Sequence, residues 1–327
     1  MRTFFHKKAM ILVYHRVAES TVDPWVLGVS PAHFREQLQV LQAIANPVPL
    51  SDLAAAKSDS DLPPQPVCIT FDDGYADNLL AAKPALEDFR VPGTVFVTPG
   101  YLNIPDNLWW DEMSKLILDP ATRQDELRMT VKGKDCVYSF LPSTEPDLNT
   151  KWRAWEGAPG PRQTAYLEIY GLLVKLTDAE REEAMEQLRV GATRAQADRR
   201  QHRCLTDDEL RELAAGDLVE IGAHTLSHPV LSSLSPEQQQ HEIGGSKKRL
   251  EELIGRTVTS FAYPYGKKMH YTPQTVKTVE ANGFSCACSN FGGLVTRTSN
   301  RFTLPRFQPM DWNGEQFAEV VEAWYRE

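Results

Sequence analysis

The sequence predicts an α/β fold, a barrel of roughly seven βα units interrupted by a largely helical insertion. Three observations predict it. Short apolar runs rich in β-branched and aromatic residues alternate with helical patterns up to about residue 100. The rhythm breaks between about Tyr101 and Arg203, where Trp109-Trp110-Asp111, a Lys/Asp-rich patch at Lys132 to Asp135, and a charged run from Thr177 to Arg200 replace it. It then resumes at Thr206 and continues to the end of the chain. We therefore expect one barrel domain over residues 1–327, with an insertion over about 101–203.

Met10-Ile11-Leu12-Val13-Tyr14 reads as a buried strand ending at His15. Ser30 is a good N-cap with Pro31 at the first helical position, and Phe34, Leu38 and Leu41 follow at helical spacing. The polar, proline-rich stretch Lys57 to Pro66 reads as a surface connection. The strand Val67-Cys68-Ile69-Thr70-Phe71 then runs straight into Asp72-Asp73-Gly74. A helix over Leu79 to Phe89 and a strand over Val91 to Thr98 complete the first half. Thr206-Asp207-Asp208-Glu209 is a helix start, Val219 to Gly222 a strand, and Ser235-Pro236-Glu237 opens a helix to Leu253. Ser260 to Tyr263 reads as a strand, Pro273 to Ala281 as a helix, Phe284 to Cys288 as a strand, and a last helix ends the chain.

Composition narrows the function. The chain has 327 residues and 42% hydrophobic content, enough for a sizeable core. A net charge of −9 argues against general nucleic-acid binding or attraction to an anionic membrane, and makes a highly anionic polymer a poor substrate. The five cysteines match no zinc knuckle or disulfide framework, and Cys286 and Cys288 read as small buried hydrophobes. The apolar stretch Ala9 to Tyr14 is too short for a signal-peptide core or a membrane span, so a cytoplasmic protein is expected. Oligomeric state is not encoded legibly.

Two adjacent carboxylates repel unless a cation sits beside one or one keeps a proton. Asp72 and Asp73 at a strand end therefore suggest a metal ion on one and proton transfer on the other. Gly222-Ala223-His224-Thr225-Leu226-Ser227-His228 follows another strand. On a helical turn the i, i+4 spacing would put both imidazoles on one face, as ligands to a divalent ion. Two His and one carboxylate leave open coordination positions, which suits a catalytic metal. Each residue also has an ordinary alternative. The aspartates could cap a helix near Gly74, the histidines could be satisfied turn residues, and Trp109, Trp110, Trp152 and Trp155 suit packing better than a sugar platform. His6, His33, His202, His241 and His270 receive no role.

Thr70-Phe71-Asp72-Asp73-Gly74, His224-Thr225-Leu226-Ser227-His228 and Tyr263-Pro264-Tyr265-Gly266 resemble the first three motifs of the polysaccharide deacetylases, carbohydrate esterase family 4 with its NodB-like domain. The resemblance covers about Met10 to Phe307. It implies a distorted (β/α) barrel and a metal-dependent hydrolase that removes an N-acetyl group from an amino sugar. Asp73, His224 and His228 would hold one divalent ion, zinc first, with cobalt, nickel or iron acceptable at such a site. Asp72 would be the general base, and Pro264 and Tyr265 would shape the oxyanion and substrate site, through the Tyr265 N–H.

The chain departs from the family pattern at two places. Ala262-Tyr263 stands where the third motif usually carries an arginine, and no histidine follows His270 to act as the last-motif acid. Leu12-Val13-Tyr14-His15-Arg16-Val17 resembles the opening of the circularly permuted poly-N-acetylglucosamine deacetylase branch, which makes His15 the expected general acid. Arg306, in Leu304-Pro305-Arg306, is the candidate for the vacant arginine, with a structural ion pair as its alternative. The expected substrate is an N-acylated amino sugar in a glycan, lipid-linked or nucleotide-linked precursor. Deformylation or another C–N hydrolysis is the enzymatic rival. A catalytically silent glycan-binding module is the rival of another class.

Overall fold

In the computed structural model, which describes residues 8–119, 124–140, 146–191 and 202–326, the first apolar run forms β1 (Met10–Tyr14), buried along its whole length. Short strands β2 (Arg16–Val17) and β3 (Gly28–Val29) pair beyond it. Helix α1 (Pro31–Ile44) starts where the Ser30 hydroxyl accepts the His33 N–H. After β4 (Asn46–Pro47) and α2 (Leu50–Ala55) comes β5 (Pro66–Phe71), followed by one π-helical turn over Asn78–Ala82, α3 (Lys83–Phe89) and β6 (Gly93–Val97).

The next stretch holds α4 (Trp109–Leu118), an antiparallel hairpin of β7 (Glu126–Val131) and β8 (Lys134–Ser139), α5 (Pro146–Lys151), α6 (Pro161–Leu173) and α7 (Asp178–Gly191). The α/β alternation returns with α8 (Asp207–Leu213), β9 (Val219–Ala223), α9 (Pro236–Ile254), β10 (Ser260–Ala262), α10 (Pro273–Ala281) and β11 (Cys286–Cys288). Helix α11 (Gly314–Arg326) closes the described chain.

Two compact units result. One comprises the described residues of Met1–Glu19, Gly28–Asn103 and Cys204–Glu327, the other those of Ser20–Leu27 and Ile104–Arg203. The second unit includes the hairpin, which the sequence reading missed, and a short segment from before α1. Its Trp109, Trp110 and Trp152 are buried, whereas Trp155 is exposed. The charged run that begins at Thr177 is helical from Asp178 to Gly191, and its remainder lies outside the described residues.

The first unit is a curled parallel sheet in the order β1-β5-β6-β9-β10-β11, with β4 beside the start of β5. Its two edges are linked through the segment Leu304–Phe307. Leu304 donates to the Ala287 carbonyl of β11 at 2.8 Å, and Phe307 donates to the Ile11 carbonyl of β1 at 2.9 Å. This segment does the work of a further strand, and Arg306 sits in its middle.

Strand residues are buried on both faces, which is why the strands read as continuous apolar runs. The period of two sends Met10, Leu12 and Tyr14, with Val67, Ile69 and Phe71, into a core with Phe34, Leu38 and Leu41 of α1. It sends Ile11, Cys68, Phe96, Ala262, Cys286, Cys288 and Leu304 into a second cluster on the opposite, concave side. The cysteines are small buried residues, as the sequence suggests. The same parity that turns Cys68 inward turns Thr70 and Asp72 inward.

Candidate active site

The site gathers at the carboxyl ends of β1, β5, β9 and β10. None of His15, Asp72, Asp73, His224, His228 and Arg306 exposes more than 9% of its surface. Six buried polar groups in one place demand mutual satisfaction, because a buried charge without a partner costs several kcal/mol, about 3–5 in measured cases.

Arg306 and Asp72 satisfy each other. The guanidinium donates from Nη1 to Oδ1 at 2.8 Å and from Nη2 to Oδ2 at 2.6 Å, a parallel two-bond fork. Its Nε donates to the Ser289 carbonyl at 2.8 Å and Nη1 also to the Thr70 hydroxyl at 3.1 Å. Burial pushes the Asp72 carboxyl upward, but Arg306, helped by His224, more than reverses it and holds Asp72 below the usual carboxylate range. Arg306, the candidate for the position that Ala262-Tyr263 leaves vacant, reaches Asp72 from the segment that joins β11 to β1.

Asp73 faces the two histidines. Its Oδ1 lies 3.5 Å from His224 Nε2 and 3.4 Å from His228 Nε2. Asp73, His224 and His228 offer ligand atoms that all lie within 4.8 Å of one another, the one such trio among the described residues. The donor set fits a divalent ion on a second ground. His224 Nδ1 lies 2.8 Å from the Ala262 carbonyl, so that nitrogen carries the hydrogen and leaves the Nε2 lone pair aimed at Asp73 and His228. Burial would lower the His224 imidazole, but the hydrogen bond to Asp73 and the charge of Asp72 raise it. Burial would raise Asp73, and the two histidines bring it down to about 2. The two shifts are one attraction between the carboxylate and the imidazoles, seen from each partner.

The loops that carry these groups are strained at the site itself. Of the nine non-glycine residues with positive φ among the described residues, Asp73, Thr225, His228 and Tyr265 all lie here. The expected helical turn at His224–His228 is absent. His228 precedes Pro229, which disfavours a right-handed helical conformation there, and the chain instead takes left-handed steps at Thr225 and His228. The imidazoles converge through loop geometry. Glu242 of α9 holds that loop, accepting from the Leu226 N–H, the Ser227 N–H and the Ser227 hydroxyl at 2.8–3.0 Å. At Gly74, φ is +75° and an added Cβ would stand 3.0 Å from Val97 Cγ1, so the exit from β5 requires glycine.

His15 ends β1, and its backbone carbonyl accepts from the Asn78 amide at 2.8 Å. Its Nδ1 is buried without a hydrogen-bond partner among the described residues. Burial drives the imidazole toward its neutral form, opposed by the charges of Asp73 and Asp72. Pro264-Tyr265-Gly266 is a tight turn in which Gly266 N–H donates to the Pro264 carbonyl. It brings the Tyr265 ring to 4.8 Å from His228, with His270 on its other side at 5.4 Å. All residues singled out from the sequence for the site therefore meet at one end of the sheet. Asn78, Glu242 and the carbonyls of Ala262 and Ser289 were not singled out, and Thr70 was read only as part of its motif, with no role of its own. No spacing in the sequence marks them, because each acts through a partner distant along the chain.

A family model described as polysaccharide deacetylase matches residues 180–287, which hold His224, His228 and the Pro264–Gly266 turn. That match makes residues 180–287 similar to a polysaccharide deacetylase domain. A curated relative, the putative polysaccharide deacetylase YxkH of Bacillus subtilis, is 28% identical over 120 residues, 36% of this chain and 42% of that protein. The fold is similar to the Streptococcus pyogenes deacetylase PplD (17% identity, TM-score 0.57, 97% of this chain and 98% of that one). It is also similar to IcaB from Ammonifex degensii (18% identity, TM-score 0.59, 99% and 100%). Among the described residues, no helix is long and apolar enough to cross a membrane.

Proposed function

We propose that this protein is a metal-dependent N-deacetylase of amino sugars, with Asp72 as base and His15 as acid. The observation that supports it most is the pairing of two neighbouring carboxylates with opposite partners. Asp72 is locked onto Arg306, and Asp73 faces two imidazole nitrogens. A binding module has no use for that division. A divalent ion held by Asp73, His224 and His228 would polarise the acyl carbonyl and make a water more acidic.

The chain's own residues account for the proton traffic. Arg306 fixes both oxygens of Asp72, so the carboxylate is oriented, ionised at neutral pH and ready to take a proton from the attacking water. Because its pKa is depressed, it gives that proton up readily. His15, resting neutral, would take up the proton that Asp72 releases and pass it to the departing nitrogen. The balance closes: the water oxygen forms the new bond to the acyl carbon, the C–N bond breaks, and the amine leaves with the proton. The Tyr265 turn borders the same space and would place a backbone donor at the developing oxyanion.

The test is a panel of N-acetyl and N-formyl amino sugars, free, oligomeric and nucleotide-linked, incubated with protein and zinc or cobalt while acetate and formate are quantified. Acetate release is the expected result. Formate alone would move the assignment to a deformylase, and neither acid released with metal bound would leave a binding role.

A further inference from the structure

The molecule carries a net charge of −9, yet the segment from Pro264 to Arg306 reverses that sign. It contains Lys267, Lys268, Lys277, Arg297, Arg301 and Arg306 against Glu280 alone. Within this segment lies a cavity of about 470 Å³ lined by Lys268, Tyr271, Lys277, Phe291 and Thr303. Neither Lys268 nor Lys277 is paired with a carboxylate among the described residues. The Lys268 ammonium lies 5.2 Å over the Phe291 ring, which positions it at the cavity wall. The Tyr271 ring is backed by Tyr263, stacked at 4.2 Å and 21°, so it presents a rigid aromatic surface.

The cavity belongs to the same end of the sheet as the site. The Tyr271 hydroxyl hydrogen-bonds the Ser289 hydroxyl at 2.9 Å, and the Ser289 carbonyl accepts the Arg306 Nε hydrogen. The chain that leaves the Tyr265 turn reaches Lys268 and Tyr271 within six residues. A saccharide whose acetamide enters the buried pocket would therefore have its next portion over two lysines and two aromatic rings.

We propose that this cavity is an anion subsite, which makes the preferred substrate an N-acylated amino sugar bearing a phosphate or carboxylate group. The aromatic walls suit a sugar face, and the two unpaired ammonium groups suit anionic oxygens. The overall acidity of the chain repels a polyanion at long range. It does not oppose a single anionic group delivered to this local patch, because exposed charges further away than about 8–10 Å are screened at physiological salt. The inference rests on the deacetylase reading for the placing of the acetamide, and not for the binding of the anion.

The test is calorimetric binding to the full chain, with and without added zinc, so that turnover is not needed and metal–phosphate contact is separated. The probes are N-acetylglucosamine 1-phosphate, a glucuronate-linked N-acetylglucosamine disaccharide, and neutral N,N′-diacetylchitobiose. We expect at least one anionic probe to bind about five- to tenfold tighter than the neutral one without zinc. That preference should fall to near unity in Lys268→Gln/Lys277→Gln and persist in Lys248→Gln, on an exposed stretch of α9. The phosphate and carboxylate arms then identify the source of the charge. Equal binding of all three probes by the wild type, or a preference that survives the double substitution, overturns the proposal. Failure to release acetate from any sugar would sink the deacetylase reading while leaving the binding ratio unmoved.

Discussion

Replacing Arg306 by leucine strands Asp72. Both groups are buried, Arg306 at 1% and Asp72 at 4% exposure, and the guanidinium makes both bonds of the fork as well as those to Ser289 and Thr70. Removing one partner of such a pair leaves an uncompensated carboxylate, at a cost of about 3–5 kcal/mol. Arg306→Lys keeps a charge but loses the planar fork, and about 1.5–3 kcal/mol is expected from one lost charged hydrogen bond. If the coupling is the cause, Asp72→Leu with Arg306→Leu together costs much less than the sum of the singles. The assay is the urea midpoint of the four proteins at neutral pH, analysed as a double-mutant cycle. The reasoning is refuted if Arg306→Leu costs under about 1 kcal/mol, well below the penalty of a stranded buried charge, or if the two single costs simply add.

Three further outcomes follow from the geometry. His15→Ala should lower kcat about 10²–10⁴-fold, the usual contribution of a positioned acid or base. Zinc affinity, measured by competition with a chromophoric chelator, should be nearly unchanged, and a large loss of affinity would instead make His15 a ligand. Glu242→Ala removes all three bonds holding the Leu226–Ser227 loop, so zinc affinity should fall about tenfold, in the range for residues supporting metal ligands. Unchanged affinity would show that the loop holds its shape without α9. Asp311 accepts from the Ser30 N–H, the Ser30 hydroxyl and the His33 ring; burial raises its pKa, but the Ser30 bonds lower it further. Its contribution is therefore present above the unfolded value of about 3.9 and lost as pH falls through the lower folded value. Asp311→Asn should lower the urea midpoint at pH 6 and flatten its decline toward pH 3; a parallel decline in both proteins would contradict this.

Strands were legible where their physics is local. Met10–Tyr14 and Pro66–Phe71 are buried on both faces, so their apolar runs are continuous and end abruptly at His15 and Asp72. The caps at Ser30, Thr206 and Ser235 were legible for the same reason, since each side chain accepts from a backbone N–H three residues on. The β7–β8 hairpin was missed although Leu127, Met129 and Val131 alternate inward. Its turn, Lys132-Gly133 with φ of 52° and 74°, puts a lysine where asparagine or aspartate would announce it. The His224–His228 pair does converge on Asp73, but through a loop rather than a helical turn, and Pro229 was the available warning. Arg306 reaches Asp72 across 234 positions of chain, and that meeting is set by closure of the sheet rather than by any spacing.

The most direct test of the central claim compares wild type with Asp72→Asn, each loaded with one equivalent of zinc and its metal content measured, for acetate release from the best N-acetylated sugar. The account predicts equal metal content and a loss of about 10²–10⁴-fold in kcat for the variant. Full activity in Asp72→Asn with metal bound would contradict it.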